Sequence, residues 1–389
     1  MKGEATIAAN VARLRLDRRL TQEGLATKAG LSRVALGKIE RGSVVPRART
    51  LDALAKVLAV PVGELVTPVR PLESVRFRAR TLVHAREQIL AEVSKWLDAY
   101  AGLEAALDEH RPFRFEEDVS ERGHLARDYC GQDARTPIKA AQAARRAVGL
   151  GPEEPVRDIC GLLEENGVKL LLLETNRDSF FGLSVGSRDR GPAVVVNTWD
   201  RISVERWIFT AAHELGHLLL HQDEYQRDAT NLPTETEREA DAFASEFLMP
   251  EKVFAAEWDE TCGHSLLVRV LKVKRIFRVS YKTVLYRLVG SGRETSDVWR
   301  AFQGQHRGHF GKTLRKTDEP EALHKSEFAW NWSRSGEPAG LSEHDFIEDR
   351  LSRLVRRALE EEHISLGRAA EILRLTRDEM RQKAREWAG

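Results

Sequence analysis

The chain has few of the features that mark secreted or membrane proteins. Only three of its 389 residues are cysteines, Cys130, Cys160 and Cys262, and no two of them form a C-x-x-C pair. We therefore predict buried thiols in a reducing compartment rather than disulfides or metal ligands. No apolar run approaches the roughly 20 residues of a membrane span, and the N-terminus lacks the apolar core of a signal peptide. These absences predict a soluble cytoplasmic protein.

The chain also has almost no net charge, but its charges are unevenly distributed. Residues 1–70 hold 13 basic and 6 acidic residues, a net charge of +7, so the rest carries −6 of the total of +1. A basic N-terminal segment on a mildly acidic chain predicts contact with a polyanion such as DNA. The length is sufficient for two or three domains.

Residues 213–217 read His-Glu-Leu-Gly-His, the pattern H-E-x-x-H. On a helix, His213 and His217 lie one turn apart on one face, so both imidazoles can bind one metal ion. Glu214 lies about 100° around the helix from His213, where it can contact a water on the metal without being a ligand. The pattern predicts a hydrolytic metal site with Glu214 as the catalytic base.

A third ligand is expected downstream, on a helix with an apolar stripe at Ala240 and Ala244. Glu237 and Asp241 share one face of that helix, so Glu237 can be the ligand and Asp241 can accept the N–H of a ligand histidine. Glu235 and Glu239 form a competing pair with the same spacing. Glu237 is preferred because it lies nearest the apolar stripe.

Three segments carry a family resemblance. Residues 206–221, 237–244 and 247–250 resemble the ImmA/IrrE family of bacterial metallopeptidases, and residues 271–280 resemble a helical segment that the family carries after its metal site. The similarity extends over about residues 155–290. It implies a zincin-like fold and the cleavage of a transcriptional repressor in response to a stress or a mobile element.

The basic N-terminal segment reads as five short helices between residues 4 and 66. Residues 21–42 resemble the helix-turn-helix of Cro and phage repressors (XRE type), whose third helix enters the major groove. The residues expected to contact DNA are Ser32, Arg33 and Val34 at base edges and Gln22 and Lys38 at phosphates. The expected small core consists of Leu25, Ala26, Leu31, Val34, Ile39, Leu51, Leu54 and Leu58. A helical bundle that binds only protein is the alternative.

The sequence predicts a mainly α, multi-domain chain. The expected domains are a five-helix helix-turn-helix bundle at 1–70, a helical linker at 71–150, an α+β zincin-like domain at 151–292 and a helical C-terminal region at 293–389. Strands are expected at 168–173, 181–185 and 193–197, in a small antiparallel or mixed sheet. The resemblance implies a zincin-like fold, in which an edge strand beside the active-site helix binds extended substrate, and residues 181–185 are the candidate for that edge strand.

The C-terminal region shows two further features. Residues 304–340 are expected to be loops, in which His306, His309 and His324 are solvated rather than metal-binding. Residues 365–380 repeat the pattern of residues 21–36 at an offset of 344, but Arg374 replaces the turn glycine Gly30. We therefore expect a helix-turn-helix-like pair that binds protein rather than DNA.

The function expected from these features is a DNA-associated endopeptidase of the bacterial cytoplasm and nucleoid. His213, His217 and Glu237 would hold Zn²⁺, with Mn²⁺ or Fe²⁺ as alternatives. Its partners would be double-stranded DNA at residues 1–70, a helix-turn-helix repressor as substrate, and a second copy of the chain in a possible homodimer. Candidates for stabilising the oxyanion are His221, His264 and Tyr281. The competing hypothesis is a one-component transcription regulator or antitoxin whose peptidase fold senses a ligand, metal or partner without cleaving.

Overall fold

The computed structural model describes residues 2–77, 83–115, 136–176, 180–222, 225, 234–315, 317–323 and 340–388. These residues form 17 α-helices and one four-stranded sheet, so the chain is mainly helical, as predicted. The chain divides into two compact units, residues 1–72 with 79–99, and residues 73–78 with 100–389. The domain limits drawn from the sequence stay a prediction. None of the described helices is both long enough and apolar enough to cross a membrane.

The first unit contains the expected five-helix bundle. Its helices are α1 (Lys2–Asp17), α2 (Gln22–Lys28), α3 (Arg33–Glu40), α4 (Ala48–Leu58) and α5 (Val62–Val66). The side chains of Thr21 and Ser32 cap α2 and α3 by accepting hydrogen bonds from backbone N–H groups. Leu25, Leu36 and Leu54 are fully buried in its core. Val34 is 66% exposed, so its assignment to this core is wrong, because it lies on the outer face of α3.

Helix α6 (Val83–Leu107) follows, and its residues from Tyr100 onward belong to the second unit. The sequence predicted a helical linker at 71–150, but within it Val75–Phe77 form strand β1. All three residues of β1 are buried, and Phe77 stacks on Phe180 with ring centroids 5.3 Å apart. Burial in the sheet therefore overrides the local helical pattern.

The sheet of the second unit has the strand order β1-β3-β4-β2, with β2 at Lys169–Leu173, β3 at Gly182–Val185 and β4 at Ala193–Asn197. β3 pairs antiparallel with both β1 and β4, and β2 pairs parallel with β4. The prediction that residues 181–185 form an edge strand is therefore wrong, because β1 occupies the side of β3 that was expected to be open.

One helix packs on this sheet, and a second helix packs on the first. They are α9 (Val204–Leu220), which contacts β3 and β4, and α10 (Thr234–Leu248), which contacts α9. A β-carbon at Gly216 would lie 2.9 to 3.2 Å from side-chain atoms of Phe243, so the absence of a side chain at 216 permits this close approach. The other helices around this core are α7 (Thr136–Ala147), α8 (Ile159–Glu165), α11 (Glu251–Glu260), α12 (Leu266–Phe277) and α13 (Tyr281–Gly290).

The C-terminal region is more helical than the sequence indicated. Residues 304–310, which were expected to be loop, belong to α14 (Val298–Phe310), where His306 is fully buried and His309 is exposed. His324 lies outside the described residues. The last helices are α15 (Arg350–Glu360), α16 (Leu366–Leu373) and α17 (Arg377–Ala388).

A buried ion-pair network fixes the start of α15. Arg350 Nη1 lies 2.7 Å from Glu104 Oε1, whose other oxygen lies 3.1 Å from Lys169 Nζ. The side chain of Glu164 accepts hydrogen bonds from the backbone N–H groups of Asp349 and Arg350. The side chain of Glu348 is half-buried beside Glu164, and its pKa is raised to about 7 by burial and by the neighbouring acidic groups.

The cysteines only partly match the prediction. Cys160 is buried and Cys262 is exposed, and both are free thiols. The expectation of a buried thiol is wrong at Cys262, which lies in the turn after α11. Cys130 lies outside the described residues.

We predict that Gly216→Ala destabilises the second unit. The cost of overpacking is about 1–3 kcal/mol, and the better helix propensity of alanine offsets up to about 1 kcal/mol of it. Gly308→Ala is the matched control, because a β-carbon there meets nothing within 4 Å, and it is expected to be neutral or stabilising. Denaturant unfolding measures both variants. Equal effects of the two substitutions would contradict the close packing of α9 on α10.

We also predict a pH-dependent cost at Glu348. Its pKa is raised in the folded state from 4.5 to about 7, so the folded protein keeps a proton that the unfolded chain releases. Below pH 4.5 both the folded and the unfolded chain hold this proton, and Glu348 carries no cost. As the pH rises through 7, the free energy of unfolding falls by up to about 3 kcal/mol. The stability of Glu348→Gln relative to the parent should therefore increase over this interval. Unfolding curves at several pH values test this, and a constant difference would be inconsistent with the shift.

Candidate metal centre and DNA-contact residues

The imidazoles of His213 and His217 meet on the buried face of α9. Their Nε2 atoms lie 3.0 Å apart, and the two residues are 4% and 1% exposed. The i, i+4 spacing on one helix explains why the rings face each other.

The Nδ1 atom of each ring has another partner. His213 Nδ1 lies 2.8 Å from Asp241 Oδ1 on α10. His217 Nδ1 lies 2.9 Å from His221 Nδ1, and His221 Nε2 lies 2.8 Å from Glu239 Oε2. When Nδ1 of each of the first two rings donates its proton, both Nε2 atoms present lone pairs, and the two carboxylates fix these tautomers.

Glu237 completes this group of ligand atoms. Its carboxylate oxygens lie 3.6 Å from His213 Nε2 and 3.4 Å from His217 Nε2, and the three ligand atoms lie within 4.8 Å of one another. Two imidazole lone pairs and a carboxylate are all acceptors, and their mutual repulsion is relieved by a cation or a proton. The donor set of two nitrogens and one carboxylate oxygen fits Zn²⁺ with a fourth position open.

Proton affinities in the group follow from burial and charge. Burial lowers the pKa of His213, but the hydrogen bond with Asp241 and the nearby carboxylates of Glu237 and Glu214 outweigh it and leave that pKa raised to about 9. Burial lowers the pKa of His217 well below its ordinary value. The pKa of Glu237 is lowered, because the adjacent rings of His213 and His217 outweigh the effect of its burial.

Glu214 lies beside the histidines, and a chain of hydroxyl groups holds its carboxylate. Ser184 Oγ on β3 donates to Glu214 Oε2 at 2.7 Å, and the Tyr225 hydroxyl donates to Ser184 Oγ at 2.8 Å. Burial raises the pKa of Glu214, which is 4% exposed. Glu214 and His213 line a small crevice together with Phe181, Gly182, Arg206, Phe209 and Thr210.

Three residues at this site escaped the sequence analysis: Ser184, Tyr225 and Arg76. Arg76, on β1, is 2% exposed, and its Nη2 lies 3.4 Å from Glu237 Oε1 and donates to Thr236 Oγ1. An arginine in a short apolar strand is a signal of a buried ion pair, but its partner 161 residues away is not visible in the sequence.

Other candidates lie elsewhere. Glu235 is exposed, and Glu239 contacts His221 instead of the ligand cluster. His221 therefore supports His217 rather than facing the crevice. His264 Nε2 lies 3.2 Å from Lys272 Nζ, and Tyr281 stacks on Phe302. Of the three oxyanion candidates, none lines the crevice in the part of the chain described.

The proposed DNA-contact residues lie at the surface of the first unit. Ser32, Arg33, Val34 and Lys38 are exposed on or just before α3. Ser32 Oγ is engaged as the cap of α3, accepting from the N–H of Ala35. Gln22 is half-buried, and its side chain donates to Glu40 Oε2 at 2.7 Å. The outer surface of α3 is thus free to enter the major groove of DNA. The DNA-contact roles of the individual residues stay predictions.

Comparisons with known proteins agree with this two-part organisation. A family model described as IrrE N-terminal-like domain matches residues 168–289, and a helix-turn-helix model matches residues 11–65. The chain is 44% identical over 62 residues to the uncharacterized HTH-type transcriptional regulator y4dJ of Sinorhizobium fredii, covering 16% of this chain and 80% of that protein. It is 41% identical over 61 residues to the immunity repressor protein of Bacillus phage phi105, covering 16% of this chain and 42% of the repressor.

Among solved structures, Bacillus thuringiensis PlcR in complex with the peptide PapR7 and DNA aligns at 11% identity over 99% of this chain and 98% of that chain. The TM-score is 0.16, so this alignment establishes no common fold. The two family models and the regulator relatives are the informative matches. The chain therefore carries an XRE-type helix-turn-helix domain at its N-terminus and an ImmA/IrrE-like domain over residues 168–289.

Proposed function

We propose that this protein is a DNA-associated, zinc-dependent endopeptidase that cleaves a transcriptional repressor or similar regulator in a stress, mobile-element or phage response. One observation carries the proposal. Three acceptor atoms of His213, His217 and Glu237 converge in a buried site, with the carboxylate of Glu214 beside them. An acceptor-only cluster next to a buried base suits metal-assisted hydrolysis.

In this proposal His213, His217 and Glu237 hold the zinc ion, with Mn²⁺ or Fe²⁺ as alternative metals. A zinc ion held there would lower the pKa of a water molecule and polarise a peptide carbonyl. Asp241 and the pair of His221 and Glu239 orient the histidines.

Glu214 moves the protons. Ser184 donates to Oε2, which leaves Oε1 as the oxygen that takes a proton from the attacking water and returns it to the leaving amine. The raised pKa of Glu214 suits both steps, because a more basic carboxylate accepts a proton more readily near neutral pH. The crevice beside Phe181 and Phe209 is the route by which a peptide carbonyl reaches this carboxylate.

The helix-turn-helix domain would bring the peptidase to its substrate on DNA. Exposed side chains on α3 would place the protein on double-stranded DNA, where repressors are concentrated. The protein would then act in the cytoplasm, at the nucleoid of a bacterium.

A transcription regulator or antitoxin that senses a ligand, metal or partner without cleaving is the second candidate. The burial of the site favours it, since His213 and Glu214 are each 4% exposed and a substrate must open the crevice further. In this alternative, metal binding at the three acceptors changes regulator activity, and Glu214 transfers no proton.

We predict that Glu214→Gln keeps the metal and loses cleavage by about 10²–10⁴-fold, because glutamine cannot take the proton of water. The assay incubates metal-loaded protein with helix-turn-helix repressors encoded beside it and identifies fragments by mass spectrometry. Glu235→Gln, an exposed site on α10, is the control and should cleave like the parent. If Glu214→Gln cleaves as fast as the parent, the mechanism is wrong. If the parent with zinc or manganese cleaves no such repressor, the regulator hypothesis is favoured.

We further predict that Asp241→Asn weakens zinc binding by about 10–100-fold, because the amide no longer favours the Nδ1–H tautomer of His213. Glu235→Gln again serves as the control, since it makes the same acid-to-amide change on the same helix outside the cluster. Competition with a chromophoric chelator measures both affinities. Equal zinc affinities of the two variants would show that Asp241 does not support metal binding.

A further inference from the structure

The helices α16 and α17 repeat the backbone geometry of α2 and α3. Leu31 N donates to Ala26 O at 2.8 Å across the first turn, and Leu375 N donates to Ala370 O at 2.9 Å across the second. These residues correspond at the offset of 344 that relates the two sequences. The same backbone hydrogen bond closes both turns.

The turn residue adopts the same conformation in both places. Gly30 has φ of +68° and Arg374 has φ of +57°, both in the left-handed region. The missing glycine was the reason to expect a different, protein-binding role for the C-terminal pair. Since Arg374 takes up the conformation of Gly30, that reason no longer holds, although a non-glycine residue costs about 1–2 kcal/mol there.

Caps and core also correspond. Thr21 and Ser365 accept from backbone N–H groups three residues on, at 3.0 and 3.2 Å. Ser32 and Thr376 do the same at the second helix, at 3.1 and 3.2 Å. The core position of Leu36 is taken by Met380, and both side chains are fully buried. The two segments are therefore the same supersecondary unit.

The outer face of α17 is basic and polar. Arg377, Arg381 and Arg385 are exposed at i, i+4 and i+8, and we call this row the α17 ridge. Arg381 contacts Asp378 at 2.7 Å, whereas Arg377 and Arg385 make no ion pair with the described residues. Residue Arg377 corresponds to Arg33 of α3 at the same offset.

The surface chemistry distinguishes between DNA and protein as the partner. Protein interfaces centre on large apolar anchors, and no large hydrophobic side chain is exposed among residues 366–387. Residues 366–388 hold six basic and four acidic residues. Three of the acidic side chains are engaged locally: Glu371 with Arg368, Asp378 with Arg381, and Glu379 with Thr376. A row of arginines on a helix-turn-helix instead matches the phosphates of a duplex.

We propose that residues 350–388 form a second DNA-binding helix-turn-helix, in which the α17 ridge contacts the phosphates that flank a major groove of double-stranded DNA. The proposal adds a nucleic-acid contact to the unit that carries the metal centre. It is independent of whether that centre cleaves a substrate.

The test uses the full chain with the N-terminal contacts weakened by Arg33→Ala and Lys38→Ala. Binding to a fluorescein-labelled duplex of mixed sequence is followed by anisotropy as the salt concentration changes. This chain should still bind at low salt. Adding Arg377→Ala, Arg381→Ala and Arg385→Ala should reduce the slope of log K against log[salt] by about 3, one unit for each phosphate contact. Between about 50 and 200 mM salt, its affinity should then fall about 60-fold less than that of the chain with only Arg33→Ala and Lys38→Ala.

The matched control removes three other exposed arginines of the same unit that lie outside residues 350–388, with Arg157→Ala, Arg300→Ala and Arg307→Ala. It has the same net charge as the ridge variant and should change the slope by less than one unit. If the ridge variant and this control behave alike, the ridge does not contact DNA, and a protein partner becomes the better hypothesis. The proposal would also be overturned if the chain with only Arg33→Ala and Lys38→Ala did not bind the duplex at low salt.

A second measurement keeps the folding of the variants separate from the result. The ridge substitutions leave the buried residues Ala370 and Met380 in place, so circular dichroism should show unchanged helix content. In the parent chain, added duplex should slow hydrogen exchange in residues 377–387 as well as in α3. Slowing confined to α3 would assign all DNA binding to the N-terminal domain.

Discussion

The close packing of α9 on α10 is the constraint on which the candidate centre depends. It brings Glu237, Glu239 and Asp241 of α10 to the histidines of α9. A β-carbon at position 216 would lie within 3.2 Å of Phe243, so the glycine of the H-E-L-G-H pattern determines this separation. The glycine therefore has a packing role that is as specific as the ligand role proposed for the histidines beside it.

The sequence was most informative where the interaction is local. The pairs of residues 213 and 217, and of 237 and 241, lie four apart on single helices, so their shared faces follow from helix geometry. Arg76, Ser184 and Tyr225 reach the same centre through strand pairing and a connection between helices. Strand order depends on pairing between distant segments, which the local sequence does not specify. For that reason the prediction that β3 lies at an edge of the sheet was wrong.

Residue type also predicts the conformation of a turn only in part. A glycine in a turn predicts a left-handed backbone, but its absence does not exclude one, because surrounding packing can hold another residue there. Arg374 has this left-handed backbone between a helix capped by Ser365 and a helix capped by Thr376 that buries Met380. The backbone hydrogen bonds therefore agree with the repeat that the residue types indicated, and they show that the missing glycine leaves the turn unchanged.

The two functional hypotheses place different demands on Glu214. A metal sensor needs only the three acceptors and the groups that orient them, and burying an additional carboxylate is unfavourable unless it is hydrogen-bonded. Here Ser184 and Tyr225 are arranged to hold that carboxylate, and both hydroxyl groups lie in the buried interior. A sensor would gain stability from an apolar residue at position 214, whereas a peptidase requires the base. The hydroxyl chain behind Glu214 thus favours proton transfer as the purpose of the site.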